Sequence, residues 1–107
     1  MKVEYENEDL EELAFDPTFI GDWNWRIKIK YQKVIVALQA ISRRESLFPL
    51  SGMNFELLSG KRKGQRKKKY DKEYSVRLFG PFRVVFTFVG PADSESIIII
   101  DVEDYHR

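Results

Sequence analysis

The spacing of apolar residues along this chain changes from three or four positions to two, which predicts helices followed by strands. Apolar residues recur every three or four positions from Ile27 to Ile41, as in an amphipathic helix that packs on a sheet. We expect this helix to begin at Asp22 or Asn24, either of which can cap it, and to end at about Arg44. Its polar positions are expected on the other face: Lys28, Lys30, Gln32 and Lys33.

Two shorter elements are predicted before this helix. Residues 2–5 fit a short strand that carries Val3 and Tyr5 on one face. Residues 7–14 fit a short acidic helix, which must end before Pro17 because proline disfavours helical backbone in the residue that precedes it. The inward positions of this helix would be Leu10, Leu13 and Ala14.

After residue 54 the apolar period becomes two, which predicts strands at 55–58, 74–79, 82–89 and 96–102. Residues 46–52 would form a connection, and Gly80 and Gly90, each followed by proline, mark turns between the last three strands. Residues 97–100 are all isoleucine, so the last strand is expected to be central or covered on both faces. These elements predict an α+β fold, with two N-terminal helices packed on one side of a mainly antiparallel sheet of four to five strands.

Length and composition restrict the classes of protein and of chemistry. At 107 residues the chain is predicted to form a single domain over 1–107, and 43% hydrophobic residues fit a folded protein. The sequence has no cysteine and one histidine, which excludes thiol catalysis, disulfides and a multi-histidine zinc site. We find neither a signal peptide nor a membrane-spanning run, so we expect a soluble, cytoplasmic protein that needs no cofactor or metal.

The net charge of +1 hides two opposite charge clusters. Seven acidic residues and no base lie between Glu4 and Asp16. Eight of the 18 basic residues lie within 61–72, and they favour a polyanionic partner such as a phosphate backbone, although a solvated charged turn would have the same composition. This basic block comprises Lys61, Arg62, Lys63, Arg66, Lys67, Lys68, Lys69 and Lys72.

Arg77 and Arg83 interrupt otherwise apolar strands. Since a charge that points into a core is costly unless it is paired, we expect both side chains on the open face of the sheet. They could form surface salt bridges there with the acids of the last strand, Asp101, Glu103 or Asp104. Alternatively, their planar guanidinium groups could hold one phosphate between neighbouring strands.

The last strand leads directly into Asp104, Tyr105 and His106. Imidazole titrates near neutral pH, so His106 could act as base or as acid in metal-free RNA cleavage, with the arginines stabilising charge on the phosphate. A phenol ordinarily has a pKa of about 10, so Tyr105 fits proton donation or base stacking better than base catalysis. Asp104 could orient the imidazole or simply cap the strand. Further stacking surfaces could be Tyr70, Tyr74 and Phe82.

Four segments resemble, in the same order, the HigB-type plasmid-maintenance killer toxins of the RelE superfamily. Residues 53–65 (MNFELLSGKRKGQ) are similar to the pattern F-x-x-L-x-G-x-R-x-G-Q of that family. Residues 74–78 (YSVRL) and 82–86 (FRVVF) resemble its paired strands, and residues 103–106 (EDYH) match its terminal motif. Together they cover the chain from about residue 55 to its end.

This resemblance implies a RelE-like toxin that enters the A site of the 70S ribosome and cleaves mRNA there. It also implies neutralisation by a HigA-like antitoxin with a helix-turn-helix. The family's catalytic positions fall on Asp104, Tyr105, His106 and Arg83, and its basic loop falls on Lys61, Arg62 and Lys63.

The chain departs from the family pattern in two places. Glu56 occupies a position where some members of the family have histidine, so cleavage would depend more on His106 or be weaker. Residues 66–73 resemble an insertion, which we expect to form a basic hairpin tip that adds contacts with rRNA. Two other functions remain open at this point: a non-catalytic, ParE-like toxin that poisons DNA gyrase, and a basic RNA-binding module without toxicity.

Overall fold

A computed structural model describes residues 1–42, 56–58, 70 and 72–104, with the backbone alone at 56–58. The helices are α1 (Glu8–Phe15) and α2 (Trp25–Ala40). The strands are β1 (Lys2–Tyr5), β2 (Glu56–Leu58), β3 (Glu73–Phe79), β4 (Phe82–Val89) and β5 (Ser96–Asp104). The predicted α+β class is confirmed.

These five strands form one sheet in the order β1-β5-β4-β3-β2. The pairs β2–β3, β3–β4 and β4–β5 are antiparallel, whereas β1 pairs with β5 in parallel. The isoleucine-rich β5 therefore lies between β1 and β4, as its sequence predicts. Tight turns join the last strands, and Gly80 and Gly90 adopt the left-handed backbone that favours glycine there.

The main core lies between the helices and one face of the sheet. The apolar residues that were predicted to face inward from the long helix are all buried: Ile27, Tyr31, Val34, Leu38 and Ile41. Ile35, which was not among them, is buried as well. The sheet contributes alternate residues of β3, β4 and β5 to this core, as expected for a face of period two. They are Tyr74, Val76, Leu78, Val84, Phe86, Phe88, Ile97, Ile99 and Val102.

A second, smaller apolar cluster lies on the opposite face of the sheet. Val85 and Ile100 are buried there, and the half-buried Tyr70 packs against them. Residues on both faces of β4 are therefore buried along most of its length. The face that carries Arg77 and Arg83 was predicted to be open, and for the central strand β4 that prediction is wrong.

Side chains of α2 satisfy the carbonyls at the end of α1. The carbonyl of Leu13 would normally accept from the N–H four residues later, but that residue is Pro17, which has none. The ammonium group of Lys28 donates instead to the carbonyls of Leu13 (2.9 Å) and Asp16 (2.6 Å). Lys28 is thus buried, contrary to the prediction that it lies on the solvent face.

The start of α2 is confirmed at one of the two predicted caps, whereas its end differs from the prediction. Asn24, rather than Asp22, caps the helix by accepting from the N–H of Ile27 at 2.9 Å. The helix ends at Ala40 rather than near Arg44, because Ile41 has extended backbone (φ −77°, ψ 145°). The predicted connection at 46–52 lies outside the described residues, as do Arg44 and the first residue of the strand predicted at 55–58.

Candidate active site

Arg77, Arg83 and Glu103 form a row across three adjacent strands. Arg83 on β4 is the register partner of Arg77 on β3 and of Glu103 on β5. Directly opposed residues of antiparallel strands project to the same face with Cβ atoms about 5 Å apart. Since the adjacent residues Val76, Val84 and Val102 belong to the helix-side core, this arginine row projects to the opposite face.

The members of the arginine row differ in exposure. Arg77 is exposed, as expected, whereas only 8% of Arg83 and 4% of Glu103 are accessible to solvent. The open position that we expected for Arg83 is therefore wrong. The second apolar cluster lies on this same face and makes this part of it an interior.

Two polar neighbours make the burial of Arg83 tolerable. Its Nη1 donates to the Oγ of the fully buried Ser75 at 3.4 Å, and Glu103 is its register partner. A buried guanidinium is stable only where a carboxylate and hydrogen-bond acceptors replace its water. Arg83 therefore lies in a fixed polar environment on the central strand.

A second row of register partners lies beside the arginine row on the same face. Glu56 of β2 is opposite Ser75, Ser75 is opposite Val85, and Val85 is opposite Asp101. The Cα of Glu56 is thus one row away from Arg77 and Arg83. Glu56 occupies the position where some members of the resembled family have histidine. A register shift after Val85 adds an extra residue to β5 at this point.

Carboxylates are abundant among the described side chains of this face. Glu73, Asp101 and Glu103 accompany the two arginines, and the buried Glu73 accepts from the N–H of Tyr70 at 3.2 Å. On this face the described carboxyl groups therefore outnumber the two guanidinium groups. Of the basic block at 61–72, the described part of the chain contains only Lys72, which is exposed.

Asp104 is the last residue of β5, is half-buried and is the register partner of Phe82. It follows Glu103 directly, so the alternation of strand residues directs its side chain to the helix-side face, where Phe82 packs, and not to the face of the arginine row. Tyr105 and His106 lie outside the described residues, so their roles remain predictions. The same applies to seven members of the basic block: Lys61, Arg62, Lys63, Arg66, Lys67, Lys68 and Lys69.

The three aromatic residues considered for base stacking occupy different environments. Tyr74 is buried and stacks on Phe86 with ring centroids 5.8 Å apart, so its prediction as a stacking surface is wrong. The half-buried Tyr70 donates its hydroxyl to Oε2 of Glu6 at 3.4 Å. Phe82, also half-buried, packs against the helix-side core.

Two buried polar residues of this face, Glu73 and Ser75, were not predicted as site residues, whereas Glu103 was predicted as a possible partner of the arginines. Glu73 and Ser75 alternate with the core residues of β3, and this alternation is the signal that could have identified them. Within the described ranges, no group of three or more His, Cys, Asp or Glu residues is arranged to hold a metal ion. No helix there is both long and apolar enough to cross a membrane.

Comparison of this chain with protein-family models, with curated proteins and with solved structures finds no match. The resemblance to HigB-type toxins therefore remains an expectation, based on the motifs quoted above. Any function must be argued from the residues themselves.

Proposed function

We propose that this protein is the toxin of a type II toxin–antitoxin system, with a RelE-like fold and ribosome-dependent mRNA endonuclease activity in the cytoplasm. It would occupy the A site of the 70S ribosome, and a HigA-like helix-turn-helix antitoxin would neutralise it. The four ordered motifs support this proposal, and so does an α+β chain that can supply the parts of a metal-free nuclease.

The observation that carries the proposal is the position of the arginine row beside the end of β5. Arg83 is opposite Glu103, and Asp104 follows immediately. His106 is two residues further along, and consecutive Cα atoms are 3.8 Å apart, so its Cα lies within about 7 Å of that of Asp104. The proposal requires the segment after Asp104 to bring the imidazole of His106 to the face that carries Arg77 and Arg83.

Each group would have a distinct part in the reaction. The 2′-oxygen of the mRNA attacks the adjacent phosphorus while the P–O5′ bond breaks, which gives a 2′,3′-cyclic phosphate and a 5′-hydroxyl. His106 would either remove the 2′-hydroxyl proton or protonate the departing 5′-oxygen, and Tyr105 would donate the other proton or stack on a base. Asp104 would orient the imidazole.

The two arginines would divide the electrostatic work according to their exposure. Arg77 is exposed and can contact a phosphate oxygen directly. Arg83 is buried against Ser75, so it would contribute a fixed positive charge behind the reacting phosphate. This division revises the idea of a symmetric clamp made of two exposed guanidinium groups.

The basic block of 61–72 would bind rRNA. A block of this density neutralises several backbone phosphates, and the resulting affinity depends strongly on salt. The described side chains of the sheet face are rich in carboxylates. The ribosome, rather than this face alone, would therefore hold the mRNA in the geometry that cleavage needs.

A ParE-like poison of DNA gyrase remains the alternative function, and a non-toxic RNA-binding module is the third. Neither needs a histidine next to an acid and a tyrosine at this point of the chain. The Asp104-Tyr105-His106 sequence therefore favours the nuclease.

Induction of the wild type and of His106→Ala in cells, followed by mapping of mRNA 5′ ends, tests the proposal. We expect growth arrest and new 5′ ends within translated codons for the wild type, and neither for the variant at equal protein level. Arrest without new ends, accompanied by double-strand breaks in DNA, would instead support the gyrase function. Equal cleavage by both proteins would remove His106 from the mechanism.

A further inference from the structure

The surface of α2 carries a second apolar stripe that points away from the core. Trp25, Ile29 and Val36 are 51%, 52% and 64% exposed, and Ala40 is exposed as well. Their spacing of four, seven and four residues keeps them in line along a helix with 3.6 residues per turn. We call these four residues the outer stripe. Large exposed apolar side chains in line on one helix face are unusual on a soluble domain and mark an interaction site.

One edge of the outer stripe carries three basic residues and no acid. Arg26, Lys30 and Lys33 are exposed and follow one another at spacings of four and three, so they form a row beside the stripe. Not one residue between Trp25 and Ala40 is acidic. This basic edge has no carboxylate on its own helix to neutralise it.

The other edge of the outer stripe faces α1, which has the opposite charge. Lys28, Tyr31 and Gln32 lie on that side, since each donates to a backbone carbonyl of α1 or of Asp16 just after it. The first turn of α1 carries Glu8, Asp9 and Glu11, and the helix contains no base. The outer stripe is thus bordered by an acidic helix on one side and by the basic edge on the other.

The apolar surface continues from the helix to the end of β3. The guanidinium of Arg26 lies over the ring of Phe79, with its Cζ 4.7 Å from the ring centroid. Phe79 is itself partly exposed. The start of α2 is therefore held against the sheet, and a partner would meet a rigid surface, which lowers the entropy lost on binding.

We propose that the outer stripe of α2 is the docking site for an amphipathic helix of a partner protein whose acidic edge faces Arg26, Lys30 and Lys33. The exposed stripe is about 22 Å long, which matches a partner helix of about four turns. Charge complementarity fixes the orientation of this helix: its carboxylates lie over the basic edge, and the edge that faces α1 is neutral or basic. The inference does not depend on nuclease activity, because it involves none of the residues of the arginine row.

A pair of synthetic helical peptides tests this proposal. One carries leucines along one face, glutamates along one edge and neutral residues elsewhere, and the other has lysines in place of the glutamates. Binding to the intact protein is measured by fluorescence anisotropy of the labelled peptides. We expect the glutamate peptide to bind at least about tenfold more tightly than the lysine peptide, with an affinity that falls as salt rises.

Variants of exposed residues define the surface. Val36→Glu should abolish binding of the glutamate peptide, and Lys30→Glu with Lys33→Glu should reverse the preference between the two peptides. Lys2→Glu with Lys72→Glu makes the same change of charge away from α2 and should leave the preference as it is. Circular dichroism verifies that each variant folds.

Three results would overturn the proposal. Equal binding of the two peptides would mean that charge does not select the partner, and no binding of either would mean that the stripe is not a docking site. If light scattering instead shows a dimer of the wild type that Val36→Glu dissociates, a second copy of the chain covers the stripe.

Discussion

Arg83 on β4 lies directly opposite Glu103 on β5, with less than a tenth of either residue exposed. On the next strand, Arg77 lies opposite Arg83 but is exposed. Two arginines with the same register position and the same face thus have different physical roles. The buried one belongs to the interior of the second face, and the exposed one is available to a ligand.

This difference predicts that the same substitution has a large effect on stability at one position and almost none at the other. Arg83→Met should lower the free energy of unfolding by about 2 to 4 kcal/mol, because it removes the cation beside the buried Glu103. Arg77→Met, the matched control, should change it by less than about 0.5 kcal/mol. Urea denaturation measures both. Equal losses would show that burial does not distinguish the two arginines.

A second pair of variants tests how α1 ends. Lys28→Met keeps the apolar stem but removes the ammonium that binds the carbonyls of Leu13 and Asp16, and should cost about 2 kcal/mol. Lys30→Met makes the same change at an exposed position of the same helix and should be nearly neutral. Thermal unfolding followed by circular dichroism compares the two. A neutral Lys28→Met would mean that water replaces the ammonium at no cost.

Two buried tyrosine hydroxyls differ in their hydrogen bonds, so the substitution of each tyrosine by phenylalanine should affect the free energy of unfolding differently. The hydroxyl of Tyr31 donates to the carbonyl of Leu10 at 2.8 Å, so Tyr31→Phe should destabilise the fold by about 1 kcal/mol. The buried hydroxyl of Tyr5 has no hydrogen-bond partner within the described residues, so Tyr5→Phe should be neutral or slightly stabilising. Denaturant unfolding at pH 7 measures the change in the free energy of unfolding for both variants. A clear loss for Tyr5→Phe would indicate a partner beyond the described residues.

The raised pKa of Tyr5 also lowers the stability of the fold at alkaline pH. Burial, and secondarily the charge of Glu11, raises the pKa of Tyr5 from 10.0 to about 12. Between these values the unfolded chain has released this proton and the folded chain has kept it, so stability falls as pH rises and is unaffected below pH 10. Burial also raises the pKa of Tyr31, with the same sign. Tyr5→Phe should make the fall in unfolding free energy between about pH 10 and about pH 12 shallower. If the unfolding free energy of Tyr5→Phe falls as steeply as that of the wild type, groups other than Tyr5 cause the fall.

The basic block predicts a salt effect on ribosome binding. Reversal of Lys67, Lys68 and Lys69 to glutamate should weaken binding and flatten the dependence of log affinity on log salt, because fewer counterions are released from rRNA. Sedimentation with 70S ribosomes at several salt concentrations measures this slope. A slope equal to that of the wild type would show that the insertion does not contact rRNA.

The sequence predicted the elements of the fold well, because each consists of a periodic pattern with a clear boundary signal. Asn7 caps α1 and Asn24 caps α2, glycines mark the turns, and the isoleucines of β5 identify a strand with neighbours on both sides. These are local signals. They fix the type of each element and the face that it buries.

What the sequence could not predict depends on contacts between distant residues. Lys28 was predicted to be exposed from its helical position, but the carbonyl of Leu13, left without a helical donor by Pro17, draws its ammonium inward. Arg83 was predicted to be exposed from its charge, but Val85 and Ile100 build a second core around that face. A buried charge is identified only when its partners on other elements are known.

The rate of mRNA cleavage in a reconstituted 70S complex tests the central claim most directly. With a programmed A site and purified protein in excess, we predict that His106→Ala lowers the single-turnover rate at least about 100-fold, as loss of a general acid or base does. Lys2→Ala, a surface change on β1, should cleave at the wild-type rate. Cleavage by His106→Ala at the rate of the wild type, or no cleavage by the wild type, would contradict the account.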